Sequence, residues 1–431
     1  MWCCGVRGAT KGESLPERLY KNLLSLGAMQ VANYALQLIL LPYLVRVLGL
    51  KQYGVLAFSL AIIQYGVTLI DYGFNLTAAK SVAQEQLNKE SVSGTFWSVM
   101  ACKTLLALIF FVVLVTLTRC VPRIGNATVV LLACFPIIVG NVLQPVWLLQ
   151  GLEQMGALLA CTVISKALIL PISFFVVTSS RDAWIAGLVQ GGASFVAGIL
   201  TLIYVFRRQL IFWQRPSFGE IVKQFREGFH VFMSIAAVGL YSTTNSIVLG
   251  FTVGSTAVGI FAAADKIRQA VQGLILPVQQ AVYPRVNALM VSSREQAFSL
   301  VKKVLIFQGI GTLGLAFLLY LFAPMIVDLA YGHGRTGVVL VLRTLSVVPF
   351  VVGVSNVLGI QIMLSSGMNK RFSHILIFAG IFNVMILIPL SREFSAWGGA
   401  ISMVTTECFI LFAMCVSVWS EIRVMFFCSD G

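Results

Sequence analysis

Apolar stretches of about 20 residues recur along almost the whole chain, and few folds can accommodate them. Wound as a helix, such a stretch spans the hydrocarbon core of a bilayer and satisfies its own backbone N–H and C=O groups. Candidate spans fall at 22–48, 53–74, 93–118, 127–150, 155–179 and 183–206. After a more polar connection at 207–227, six more follow at 228–252, 256–284, 300–323, 337–364, 373–390 and 395–419. Only 11% of the residues are charged and 58% are hydrophobic, whereas soluble domains carry about 25% charged residues. No connection is long or polar enough to be a soluble domain. The chain therefore reads as an all-α integral membrane protein of about twelve transmembrane helices.

The net charge of +14 would raise nucleic-acid binding in a soluble protein. Here no RNA-binding signature accompanies it, and the basic residues lie mostly between apolar runs. Placing the N-terminus in the cytoplasm puts Arg18, Lys21, Lys80, Lys89, Arg207, Arg208, Arg215, Lys223, Arg226, Arg285, Arg294, Lys302, Lys303, Lys370 and Arg371 on that side, with others near the termini. The opposite side keeps only Arg46, Lys51, Arg119, Arg123, Arg181, Arg335 and Arg392. This asymmetry predicts an N-in, C-in topology.

No apolar h-region precedes residue 20, so the first span is expected to direct insertion. The nine cysteines form no CxxC pair and fall mostly inside apolar runs, where they serve as small core side chains. No phosphate loop and no metal-spaced histidine pair occurs, so no cofactor is expected. His230 and His374 read as core or interface residues rather than proton carriers.

The halves show a faint repeat. Gly49-Leu-Lys-Gln-Tyr-Gly54 is answered by Gly254-Ser-Thr-Ala-Val-Gly259, each joining the first two spans of its half, and Lys21 is answered by Arg226. An even number of spans per half gives parallel repeats about an axis along the membrane normal. The expected organisation is a cytoplasmic segment 1–21, a six-helix lobe 22–206, a cytoplasmic linker 207–227, a second six-helix lobe 228–419 and a cytoplasmic tail 420–431. The substrate path would then lie between the lobes.

Five basic residues fall inside expected spans: Lys103, Lys166, Lys266, Arg268 and Arg343. Each costs about 2.5–3.5 kcal/mol at a helix centre facing lipid, so they should face a hydrated cavity or acidic partners. The acidic residues at depth are Asp71, Asp265 and Glu407. In the eighth span Asp265, Arg268, Gln269, Gln272, Gln279 and Tyr283 share an arc of about 100°, with Lys266 at its border. Similar stripes run through Asn22, Gln30, Asn33 and Gln37, through Gln64, Thr68, Asp71 and Asn75, and through His230, Ser234, Tyr241 and Asn245. One account is a net-basic, amide-rich lumen for a hydroxylated anionic cargo. The other is interhelical hydrogen bonding, with Asp265–Arg268 as a structural ion pair.

Asn33-Tyr34, the run Leu41-Pro42-Tyr43-Leu44-Val45-Arg46-Val47-Leu48-Gly49, Tyr53-Gly54 and Asp71-Tyr72-Gly73-Phe74-Asn75-Leu76 together resemble the N-terminal pattern of bacterial polysaccharide-repeat-unit flippases. These are the O-antigen transporters of the multidrug/oligosaccharidyl-lipid/polysaccharide (MOP) exporter superfamily. Ala262-Ala263-Ala264-Asp265-Lys266-Ile267 and Tyr283-Pro284-Arg285 are similar to that family's eighth-span pattern.

The resemblance implies two six-helix lobes in a V around a cationic cavity, as in MATE-like exporters. It implies movement of an undecaprenyl-pyrophosphate-linked oligosaccharide from the cytoplasmic to the periplasmic leaflet of the inner membrane, with the polyprenyl tail left in lipid. Membrane lipid and the polysaccharide polymerase and chain-length regulator would be the partners.

On this reading Arg268, Lys266, Lys103, Lys166, Arg343, Asn33, Gln30, Asn75, Gln272 and Asn245 are candidates for substrate binding, and Asp265, Asp71 and Glu407 for ion coupling. The alternatives are a MATE-like small-molecule antiporter, or a membrane-embedded glycosyltransferase or polymerase.

Overall fold

The computed structural model describes residues 15–125, 127–273 and 276–419, with side chains from residue 39 onward except at 123, 170, 234, 237, 238, 240–242, 276–281, 284 and 291. Among these residues every regular element is a helix. The first half comprises α1 (Leu15–Asp71), α2 (Phe74–Gln84), α3 (Lys89–Cys120), α4 (Pro122–Gly125), α5 (Thr128–Cys134), α6 (Pro136–Leu143), α7 (Val146–Gly151), α8 (Met155–Val176) and α9 (Ala183–Arg207). The second comprises α10 (Phe218–Ser242), α11 (Thr244–Thr252), α12 (Ser255–Gly273), α13 (Leu276–Ser292), α14 (Arg294–Tyr331), α15 (Thr336–Leu345), α16 (Val348–Asn356), a π-helix (Val357–Leu364) and α17 (Asn369–Ser417). Eight helical stretches among the described residues are long and apolar enough to cross a membrane.

Two expected boundaries fall at single non-helical residues, each of which separates two helical arms within α1 and within α17. α1 turns at Gly49 with φ 71°, a conformation glycine adopts without a Cβ penalty. α17 turns at Ser395 with φ 54°. The expected single helix at 127–150 is instead three short ones. Their breaks fall at Phe135, before Pro136, and at Gln144–Pro145. Proline removes a helical donor at each, and Pro145 also pushes Gln144 out of the α region, to φ −99° and ψ 95°, whereas Phe135 keeps helical angles. The connection expected at 207–227 is half helix, because Ser217 caps α10 by accepting from the Glu220 N–H at 3.2 Å.

The surface is inverted relative to a soluble protein. Large apolar side chains stand outward, among them Phe175, Phe307, Leu329, Met385 and Phe412. Polar groups sit inside, including Ser98, Lys103, Asn245, Asp265, Arg268, Gln308, Asn383 and Glu407. Lipid offers such groups no hydrogen bonds, so they gather where protein supplies them.

In the first half α5, α6 and α8 pack on α9; in the second α10 and α11 pack on α17, α12 on α15 and α14 on α16. The halves meet chiefly along α1 and α12. Gly54 and Gly259, the paired glycines of the repeat, stand against each other there. A Cβ on Gly54 would lie 1.7 Å from the Ser255 carbonyl oxygen, and one on Gly259 would lie 1.9 Å from that of Leu50. Only hydrogen fits between these backbones.

Candidate transport site

The polar face of α12 folds into a chain of charge-assisted hydrogen bonds. Arg268 Nε donates to Asp265 Oδ1 at 2.6 Å, and Gln269 Nε2 donates to Asp265 Oδ2 at 2.7 Å. Arg268 Nη1 also donates to Gln272 Oε1, and Lys266 Nζ donates to Gln269 Oε1 at 3.4 Å. Spacings of three and four residues bring these groups together on one helix face. Asp265 is 7% exposed and Arg268 5%. An uncompensated charge there would be costly, and the pairing with its added amide hydrogen bonds offsets part of that cost.

Arg268 and Gln272 open onto a cavity of about 320 Å³. Ser355 and Asn356 of α16 and Glu407 of α17 supply its other polar groups, and Phe372, Met403 and Met414 part of its apolar wall. Arg268 and Glu407 both line this space. A guanidinium has five N–H donors, and Asp265 and Gln272 engage only part of that set. The cavity therefore presents a planar cation, two amides, a hydroxyl and one carboxyl beside apolar surface. It can hold an anion with hydroxylated or aliphatic neighbours, and its carboxyl can hold a proton or a metal ion.

The other basic candidates do not join this cavity. Lys103, 1% exposed, donates to Asp71 Oδ1 at 2.8 Å, to the Asn141 carbonyl at 3.4 Å and to Asn141 Oδ1 at 3.3 Å. The Asn141 amide in turn donates to Asp71 Oδ2 at 3.5 Å. Its ammonium protons thus have three acceptors within the first half. Lys166 is half-buried on α8, beside Ser165, whose hydroxyl donates to the Ala193 carbonyl on α9. Arg343 lies over the Tyr320 ring, 5.3 Å from its centroid, with its Nε buried and unbonded. Tyr320 is half exposed on the outer surface of α14.

Asn245 is buried, and neither polar atom of its amide has a protein partner; Asn75 Oδ1 is likewise unbonded. Thr244, beside Asn245, shares a hydroxyl–hydroxyl bond with Tyr65 of α1. Gln30, Asn33, Gln37, Ser234, Tyr241 and Gln279 lie outside the described side chains. His230 and His374, expected in the core or an interface, are exposed. Sequence reasoning missed Asn141, Ser355 and Asn356. Each is a polar residue near the middle of an apolar run, the same signal that marked Asn245.

A bundle of apolar helices with buried charge at a polar cavity defines a multi-pass membrane protein of the transporter class. The same architecture occurs in solved structures: an inward-facing multidrug resistance MATE family transporter of the MOP superfamily (TM-score 0.72, 15% identity, 92% of this chain and 96% of that one) and the lipid II flippase MurJ in an inward closed conformation (TM-score 0.69, 15% identity, 94% and 93%). An outward-facing MATE structure gives a TM-score of 0.58, with 17% identity over 94% of this chain and 96% of that one. Residues 19–290 match the family described as polysaccharide biosynthesis protein, and the chain belongs to that family. A candidate O-antigen transporter of Escherichia coli (strain K12) is 38% identical over 93% of this chain and 96% of its own length. One from Shigella dysenteriae is 29% identical over 92% and 99%.

Proposed function

We propose that this protein is a flippase that carries undecaprenyl-pyrophosphate-linked oligosaccharide repeat units of a surface polysaccharide from the cytoplasmic to the periplasmic leaflet of the inner membrane. The carrying observation is a buried arginine with donors to spare, facing a polar cavity within a lipid-exposed bundle. Arg268 binds the pyrophosphate bidentately, a geometry that a lysine cannot supply. Gln272, Asn356 and Ser355 suit sugar hydroxyls, and the polyprenyl chain stays in lipid. The names of the two relatives support the polysaccharide cargo.

The chain works by alternating access between two lobes, 22–206 and 228–419. Counting the arms of α1 and α17 on either side of Gly49 and Ser395 as separate crossings, and adding α10–α11 and α12–α13 to the eight apolar stretches, favours twelve spans, which the basic-residue asymmetry orients N-in and C-in. Coupling runs through Glu407, seconded by Asp265. A proton or sodium ion binds Glu407 in an antiport cycle, on the return leg after the anionic cargo has left the cavity. Asp71 is assigned to the Lys103–Asn141 cluster and steadies the first lobe. The polymerase and chain-length regulator take over the product.

Deleting the gene should abolish the surface polysaccharide and leave lipid-linked repeat units on the cytoplasmic face. Unchanged surface polysaccharide in the deletion strain would end this reading. A small-molecule antiporter is the second reading, favoured by the MATE likeness. A panel of organic cations separates it, since a drug exporter changes drug sensitivity and leaves the polysaccharide intact.

A further inference from the structure

We infer that the connection between α9 and α10 is a docking surface for anionic phospholipid headgroups. Residues 208–217 do not hang free of the bundle. Trp97 Nε1 of α3 donates to the Phe212 carbonyl at 3.0 Å, and the Phe212 N–H donates to Ser93 Oγ at 3.1 Å. Lys89 Nζ donates to the Gln209 carbonyl at 3.2 Å. Ile211 is buried, and the Trp97 and Trp213 rings meet edge to face at 4.4 Å. The segment is thus a fixed strap across the end of α3.

What the strap turns outward is amphipathic. Trp213 is 71% exposed and Phe218 80%. Phe206 and Phe212 stand beside them, half exposed and continuous with the apolar outer surface of α9. Arg207, Arg208 and Arg215 are exposed among these rings. Residues 207–219 contain no acidic residue. Among the described residues none of the three arginines forms an ion pair. Glu220, the first acidic residue after the strap in sequence, accepts from the Ser98 hydroxyl of α3 at 3.0 Å and, among the described residues, forms no ion pair with the three arginines.

Aromatic side chains that are apolar at one end and polar at the other settle at the headgroup level, and basic residues there attract anionic lipid. A soluble acidic partner would match the arginines but would leave the rings facing the hydrocarbon boundary without purpose. The strap joins the two halves of the chain, so bound headgroups would fix the link about which the halves move.

The test uses the full chain in vesicles of phosphatidylcholine. Either phosphatidylcholine or phosphatidylglycerol, brominated near the headgroup end of its acyl chain, is added at equal mole fraction. The Trp213 signal is isolated as the fluorescence difference between the wild type and Trp213→Phe. Brominated phosphatidylglycerol should quench that signal at least about fivefold more effectively, the factor given by roughly 1 kcal/mol from a single basic residue near the surface.

The triple variant Arg207→Gln/Arg208→Gln/Arg215→Gln should bring the two lipids to parity while leaving quenching by the zwitterionic lipid unchanged, which shows that the strap is still seated. Parity in the wild type, or a preference that survives the triple variant, overturns the inference. Absence of quenching by either lipid overturns it as well, because the strap would then lie off the bilayer.

Discussion

Arg268 is held by Asp265 on its own helix and faces Glu407 across the cavity, so its substitutions separate binding from structure. Arg268→Ala should abolish export at normal membrane abundance, and Arg268→Lys should recover part of it, because a point charge replaces a planar fork. Asp265→Asn should reduce export, and neutralising both partners should restore it only if the pair is purely structural. Complementation normalised to protein level measures each case.

Lys103 differs. Its loss leaves Asp71, whose side chain is 23% exposed, without its cation. Breaking a fully buried pair costs about 3–5 kcal/mol, and partial hydration of Asp71 makes the cost here smaller. Lys103→Met should therefore lower protein yield, and Lys103→Met with Asp71→Leu should recover it. Normal yield but lost export in Lys103→Met would instead place the lysine on the transport path. The α12 cluster was legible in the sequence because helical spacing alone aligns residues 265, 268, 269 and 272. Glu407 and Asn356 as its neighbours were not, since they arrive from distant helices whose rotation no local pattern records. Nor did sequence show that Tyr320 would draw Arg343 away.

Hydrophobic runs located the helices because bilayer thickness fixes their length, yet they did not reveal how helices break. Pro136 and Pro145 divided a run that looked continuous, whereas Gly49 separates two helical arms where two were expected. The repeated glycines carried more information than the repeat argument alone supplied. Gly54 and Gly259 are spaced alike in the two halves because each must admit the other's backbone. A methyl at either site meets backbone rather than a pliable side chain. Overpacking costs typically about 1–3 kcal/mol, and here the helices must part to relieve it. Gly54→Ala and Gly259→Ala should each separate α1 from α12, lowering export by roughly tenfold or more, since about 1.4 kcal/mol is one decade. Accessibility of a cysteine placed at Ser255 to a membrane-impermeant thiol reagent should rise in both variants. Unchanged labelling with unchanged export would show that the crossing tolerates the methyl.

At the scale of the whole molecule, charge and repeat symmetry allowed a two-lobed transporter to be expected, but not which face of the structure is shut. That depends on contacts between halves, which hydropathy does not encode. Near the Gly54–Gly259 crossing, Arg46 of α1 donates to the Ala330 carbonyl at the end of α14 at 2.9 Å, and also to that of Leu329. These bonds join the two halves on the side carrying the sparse basic residues Arg46, Lys51 and Arg335. If the halves rock to expose the cavity alternately, this contact must open once in every cycle.

A covalent bridge between α1 and α14 here should stop transport without altering the site at Arg268, which lies on α12. In a chain freed of its nine native cysteines, Arg46→Cys and Ala330→Cys should be joined by a short bifunctional, reducible thiol reagent. Each single variant controls for loss of the Arg46 bonds themselves. Bridged protein in vesicles should fail to move lipid-linked oligosaccharide, and reduction should restore the rate seen before bridging. Continued transport by fully bridged protein would mean that the two halves pass the cargo without parting at this end.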